Sequence, residues 1–116
     1  MTGNDGGALR RQIATELAAA QLARDEGKEG MARVSARRAA GAAIAAWDRE
    51  SRSRTPDAVA LLRLLEAAAG IPQDVRDAAG RLISRVNPDF TPPHPEDPID
   101  DARTIIAFCL GEGPAC

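Results

Sequence analysis

A chain of 116 residues with a formal net charge of −2 holds one domain's worth of sequence, and a domain of that size folds without needing disulfides or a metal. Alanine supplies 24 residues, Tyr is absent, and there are only two Phe and one Trp, which excludes nucleic-acid modules built on aromatic stacking and favours helices. The slight acidic balance excludes a general attraction to nucleic acid or anionic membrane; fourteen of the fifteen basic residues are Arg, an excess that reads as coding bias.

The start, Met1 to Gly7, is polar and Gly-rich and is expected to be a flexible tail with no secretory leader. From Ala8, apolar residues recur at helical steps as Leu9, Ile13, Leu17 and Ala20, which predicts a first helix to about Glu26. Gly27 and Gly30 then mark a stop. A second helix is predicted from Met31 to Arg49, with an inner stripe of Ala36, Ala40, Ala43 and Trp47 in which Trp47 is the large anchor. The short turn makes these two helices an antiparallel hairpin.

After a polar loop over 50–54, Thr55-Pro56-Asp57 spells a helix start, with Thr55 as N-cap and Pro56 at the first helical position. The third helix carries Val59, Leu61, Leu62, Leu65 and Ala69 and ends at Gly70. Ile71-Pro72 leads into a fourth, with Val75, Ala78, Ala79, Leu82, Ile83 and Val86 facing inward. Residues 87–97 form a Pro-rich, extended loop. Asp97-Pro98 starts a fifth helix presenting Ile99, Ala102, Ile105, Ile106 and Cys109, and Gly111, Gly113 and Pro114 end it. The expectation is a single all-α domain over 1–116: an antiparallel bundle of four main helices closed by a fifth. No run of apolar residues is long enough for a membrane span. Cys109 and Cys116 are read as free thiols in a reducing cytoplasm.

Few residues suggest chemistry. His94, the only His, sits among prolines, where a general base would lack a fixed partner. Cys109 reads as a small buried apolar residue rather than a nucleophile, and Cys116 as an ordinary thiol. Asp97, Asp100 and Asp101 suit a capped helix start better than a metal site, and two Cys with one distant His do not make a zinc site, so neither metal nor cofactor is expected. The polar group of most interest is Arg33, Arg37 and Arg38, the candidate binding site for a nucleotide or phosphate. Between Lys28 and Arg54, seven basic residues face three acids, whereas from Asn87 to Cys116 one Arg faces six acids. Intramolecular pairing of these two regions, or two solvated faces, is the plainer reading of that lopsidedness. No phosphate-cradling loop, nucleophile elbow or helix-borne His-Glu-x-x-His occurs.

The Ala-rich stretch from Ala32 through Arg33, Arg37 and Arg38 to Ile44, the short capped helix, Ile71-Pro72 before a helix with Ala79 and Leu82, the turn Arg85-Val86-Asn87-Pro88-Asp89, the Pro-rich loop and the last helix together resemble the HEPN superfamily of bacterial helical domains. The resemblance runs from about Ala8 to Leu110 and consists of an architecture with loose motifs. It implies a helical-bundle dimer. Some members are ribonucleases in which a His follows an Arg by four to six residues; others lack that motif and act as partners or regulators, often beside a nucleotidyltransferase. Here His94 lies nine positions after Arg85 across several prolines, which implies a member without the nuclease motif. The leading expectation is therefore a non-catalytic interaction or regulatory module, forming a homodimer or docking a protein such as a nucleotidyltransferase, with no nucleic-acid or membrane partner. The alternatives are a metal-independent, toxin-like ribonuclease using His94 and a nucleotide- or phosphate-binding bundle using Arg33, Arg37 and Arg38. The expected dimer face is the outer side of the second helix, Ala32, Ala39, Ala42 and Ala46.

Overall fold

A computed structural model describes residues 2–48, 57–84 and 97–111, with only the backbone described over 2–6. Among these residues the chain is an all-α bundle of five helices: α1 (Thr2–Asp25), α2 (Glu29–Trp47), α3 (Ala58–Ala67), α4 (Gln73–Ile83) and α5 (Pro98–Cys109). No described helix is long and apolar enough to cross a membrane.

Helix α2 is the hub, and every other helix packs on it. On one side α1 returns antiparallel to α2, as the short turn dictates. That turn is a Schellman closure: Gly27 takes φ +76°, its N–H donates to the Arg24 carbonyl at 2.9 Å, and Lys28 N–H donates to the Ala23 carbonyl at 2.7 Å. On the other side α3, α4 and α5 follow one another around α2, while α1 meets α5 only marginally. The core is a mixture of close alanines and a few branched residues. Ala20, Ala36, Ala40, Ala43, Ala78, Ala79 and Ala102 are fully buried, and Ile44, Leu62, Leu65, Leu82, Ile99 and Ile105 fill the space between helices. Alanine surfaces contribute little volume, so the backbones must approach closely. Gly41 shows the limit: a Cβ there would lie 3.2 Å from the Ala58 Cβ and 3.3 Å from its Cα.

Several expectations are corrected. Helix α1 reaches back to Thr2, so residues 2–7, expected as a flexible tail, have helical backbone; once a packed helix exists, each further residue adds one hydrogen bond without a new nucleation cost. The N-cap of α3 is Asp57, whose carboxylate accepts the Val59 N–H at 3.3 Å. Asp caps as well as Thr, which moves the start inward from the Thr55-Pro56 pair, itself outside the described residues. Helices α3 and α4 end at Ala67 and Ile83, so Ala69 lies beyond its helix, and Val86 falls outside the described residues. Trp47 is not a core anchor: it is 37% exposed at the end of α2, with its ring 5.7 Å from that of Phe108. Ile44 takes the buried position. Ala32 and Ala39 are fully buried within the chain, so the stripe expected to be a dimer face is mostly interior. The start of α5 is as read: Asp97 accepts the Ile99 N–H at 2.9 Å and Pro98 opens the helix.

Candidate functional site

The arginines of α2 divide between two sides of the helix. Arg33 and Arg37, four residues apart, share a face turned toward the C-terminal end of α4. A helix leaves its last carbonyls without intrahelical partners, and these carry the negative end of the macrodipole. Here guanidiniums satisfy them. Arg33 Nη1 donates to the Arg81 carbonyl at 2.8 Å, Arg37 Nε to the Leu82 carbonyl at 2.5 Å, and Arg37 Nη2 to the Ser84 carbonyl at 2.9 Å. The same device closes the preceding turn, where Arg76 donates to the carbonyls of Glu66, Ala68 and Ile71.

Beside this junction Arg81 grips Asp101 of α5 through Nε and Nη2, the closest approach being 2.8 Å. Asp101 is 4% exposed and Arg33 2% exposed. Arg81 thus pairs with the Asp101 carboxylate, whose charge also acts on buried Arg33, and the carbonyl end of α4 adds negative potential. Burial lowers the pKa of Arg33 from its ordinary value, while the Asp101 and Glu29 carboxylates act in the opposite direction. Arg33 Nε is buried without a hydrogen-bond partner.

Arg38, one residue further on, turns to the opposite side. It is exposed and lies over a groove of about 590 Å³ between α1 and α3. Gln12 and Glu16 form the α1 wall, Asp57, Ala58 and Val59 the α3 wall, and Val34, Gly41, Ala42 and Ala45 much of the floor. Arg37 reaches its margin. Among the described residues neither Glu16 nor Arg38 makes a hydrogen bond or ion pair.

The three arginines singled out in the sequence therefore do not converge on one pocket. Arg33 and Arg37 are engaged by α4, and Arg38 fronts the open groove, whose margin Arg37 also reaches. Among the described residues Asp97 pairs with Arg24 of α1 and Asp101 with Arg81 of α4. Asp100 is exposed in the first turn of α5. Cys109 is half-buried, and burial pushes its thiol from 9.0 up to about 12, opposite to the activation a nucleophile needs. His94 and Cys116 lie outside the described residues, within which no group of three or more His, Cys, Asp or Glu could hold a metal ion. Sequence reasoning missed Arg81, Arg76 and Glu16. Arg81, in the last turn of α4 among inward residues, carried the one available signal, a cation at a helix C-terminus. Compared with known proteins, the chain matches no family model, no curated protein and no solved structure.

Proposed function

We propose that this chain is a non-catalytic helical interaction module, comparable to HEPN-like domains without the nuclease motif, that docks a protein on the side of α2 facing away from α4 and α5. The docked protein is a second copy or another chain such as a nucleotidyltransferase. One observation carries the reading. Of the four large apolar side chains most exposed among the described residues, Leu22 and Met31, each 60% exposed, and Val34, 38% exposed, belong to the turn end of the α1–α2 hairpin. Single exposed apolar residues are ordinary, but three at one end of a hairpin, with Val34 among them lining the groove, mark a contact surface. Two of the three arginines that could have served a phosphate, Arg33 and Arg37, are spent on helix carbonyls, which weakens the nucleotide-binding alternative.

The test is a photo-crosslinking amino acid placed at Met31 and, as a control, at exposed Arg103 of α5, in the full chain inside cells. Discrete protein adducts from position 31 and none from position 103 are expected. Equal yields from the two positions, or none from either, would overturn the docking reading.

A further inference from the structure

We infer that α1 is a releasable flap: it lifts off α2 as a unit, hinged at Gly27, while α2, α3, α4 and α5 stay folded. The way the helices pack carries this. Helix α2 packs on α3, α3 on α4, α4 on α5 and α5 back on α2, which closes a ring among the described residues. Helix α1 stands outside that ring. It packs along α2, meets α5 marginally and touches neither α3 nor α4, and the groove of about 590 Å³ separates it from α3. Lifting α1 away leaves the ring whole, whereas losing any member of the ring would break it.

The energetics follow the same division. Among the described side chains of α1, only Ile13, Ala20 and Ala23 are buried, with Leu9 and Leu17 partly covered. Helix α5, half as long, buries Ile99, Ala102, Ile105 and Ile106. An alanine side chain removes little apolar surface from water, so one isoleucine and two half-buried leucines supply most of the apolar attachment of a 24-residue helix. The ion pair from Arg24 to Asp97 sits at the turn end, where it steadies the hinge. Sparse burial and one-sided packing place a segment at the low end of the opening free energies within one protein. Gly27, at φ +76° with open space where a Cβ would stand, is a residue free to take up the change of backbone angle.

Opening bares a face that the closed chain hides. A helix turns about 100° per residue, so Ala32 and Ala39 lie on the side of α2 away from Arg37, where α1 covers them, and both are fully buried. Opening also divides the proposed docking surface, with Leu22 on α1 and Met31 and Val34 on α2. The flap itself is a property of the chain alone, and its test needs no partner.

The experiment is native-state hydrogen exchange on the full chain, read by mass spectrometry at increasing urea below the unfolding transition. Released from α2, a single helix is marginal in water, so its amides exchange whenever the flap is open. Amides of residues 11–22 should exchange about tenfold faster or more than those of α4 and α5, with a weaker urea dependence because less surface is exposed. Val75→Ala shows whether the opening is separate. Val75 is buried in α4, which does not touch α1. The substitution should speed exchange in α4 and α5 by roughly tenfold or more and leave residues 11–22 unchanged, because the open state keeps Val75 packed. Ala78→Gly, a milder change in the same helix, should show the same split at roughly fivefold if Val75→Ala does not fold. Amides of residues 11–22 as slow as those of α4 and α5, or accelerated in step with them by these substitutions, would overturn the proposal, since α1 would then open only with the whole bundle.

Discussion

Arg37 and Arg38 are adjacent in sequence and identical in chemistry, yet they do opposite things. A helix turns about 100° per residue, and that rotation carries one guanidinium onto the α4 carbonyls and the other over an open groove. On the α4 side of α2, charge is buried, shared and bound to backbone; on the groove side it is exposed and unspent. The difference teaches that an arginine in an Ala-rich bundle is structural when a neighbouring helix ends beside it. The ended helix offers carbonyls that need donors, and a guanidinium has five N–H groups to give.

The largest test of this contrast is Asp101→Ala. It breaks the Arg81–Asp101 pair and removes the carboxylate charge that acts on buried Arg33, and should cost about 3 kcal/mol or more by urea unfolding, toward the lower end of what a broken buried pair costs because Arg81 is partly exposed. A loss below about 1 kcal/mol would mean that the α4 carbonyls alone compensate the arginines. Arg33 separates volume from charge. Arg33→Met keeps the buried stem and removes an unsatisfied Nε, and the Arg81 carbonyl still accepts the Ser84 N–H at 3.2 Å, so a cost near 1 kcal/mol is expected. Arg33→Ala should cost about 2–4 kcal/mol through the cavity it opens. Equal costs for the two would show that the charge, not the packing, holds the junction.

A smaller effect should appear with pH. The Cys109 thiol is raised from 9.0 to about 12, so the folded chain holds a proton that the unfolded chain releases. Its contribution is complete below the unfolded value and fades as pH climbs from about 9 toward about 12. The urea midpoint should therefore fall between about pH 8 and about pH 10 in the wild type and less so in Cys109→Ala. In a Cys116→Ser background, Cys109 should react with a thiol reagent only on unfolding; rapid labelling of the folded chain would contradict its burial. The smallest effect is Arg38→Ala on the groove side, which should change the unfolding free energy by no more than about 0.5 kcal/mol. A large loss there would erase the contrast between the two sides of α2.

The resemblance, the charge lopsidedness and the helix count all came from patterns local in sequence, and local patterns proved uneven guides. The apolar spacing of Leu61, Leu62 and Leu65, and of Val75, Ala78, Ala79 and Leu82, marked the buried faces of α3 and α4 correctly. The alanine stripes were ambiguous, because alanine is nearly as compatible with a surface as with a core, and Ala32 and Ala39 proved interior. Trp47 misled for the opposite reason. A large aromatic looks like an anchor, but at the last residue of α2 its ring partner among the described residues is Phe108, and it stays partly in water.

What the sequence determined by itself was the helices and most of their ends. Gly27 and Gly111 supply the positive φ just past the ends of α1 and α5, Asp97-Pro98 starts α5, and alanine makes helix the favoured local state throughout. The spacing of Arg33 and Arg37 even placed them on one face. Only the tertiary structure decided what that face meets, because the carbonyls of Arg81, Leu82 and Ser84 lie 45 to 48 residues away along the chain. No local rule connects such positions; the packing of α4 against α5 and beside α2 does, by bringing the unsatisfied end of one helix to the donors of another.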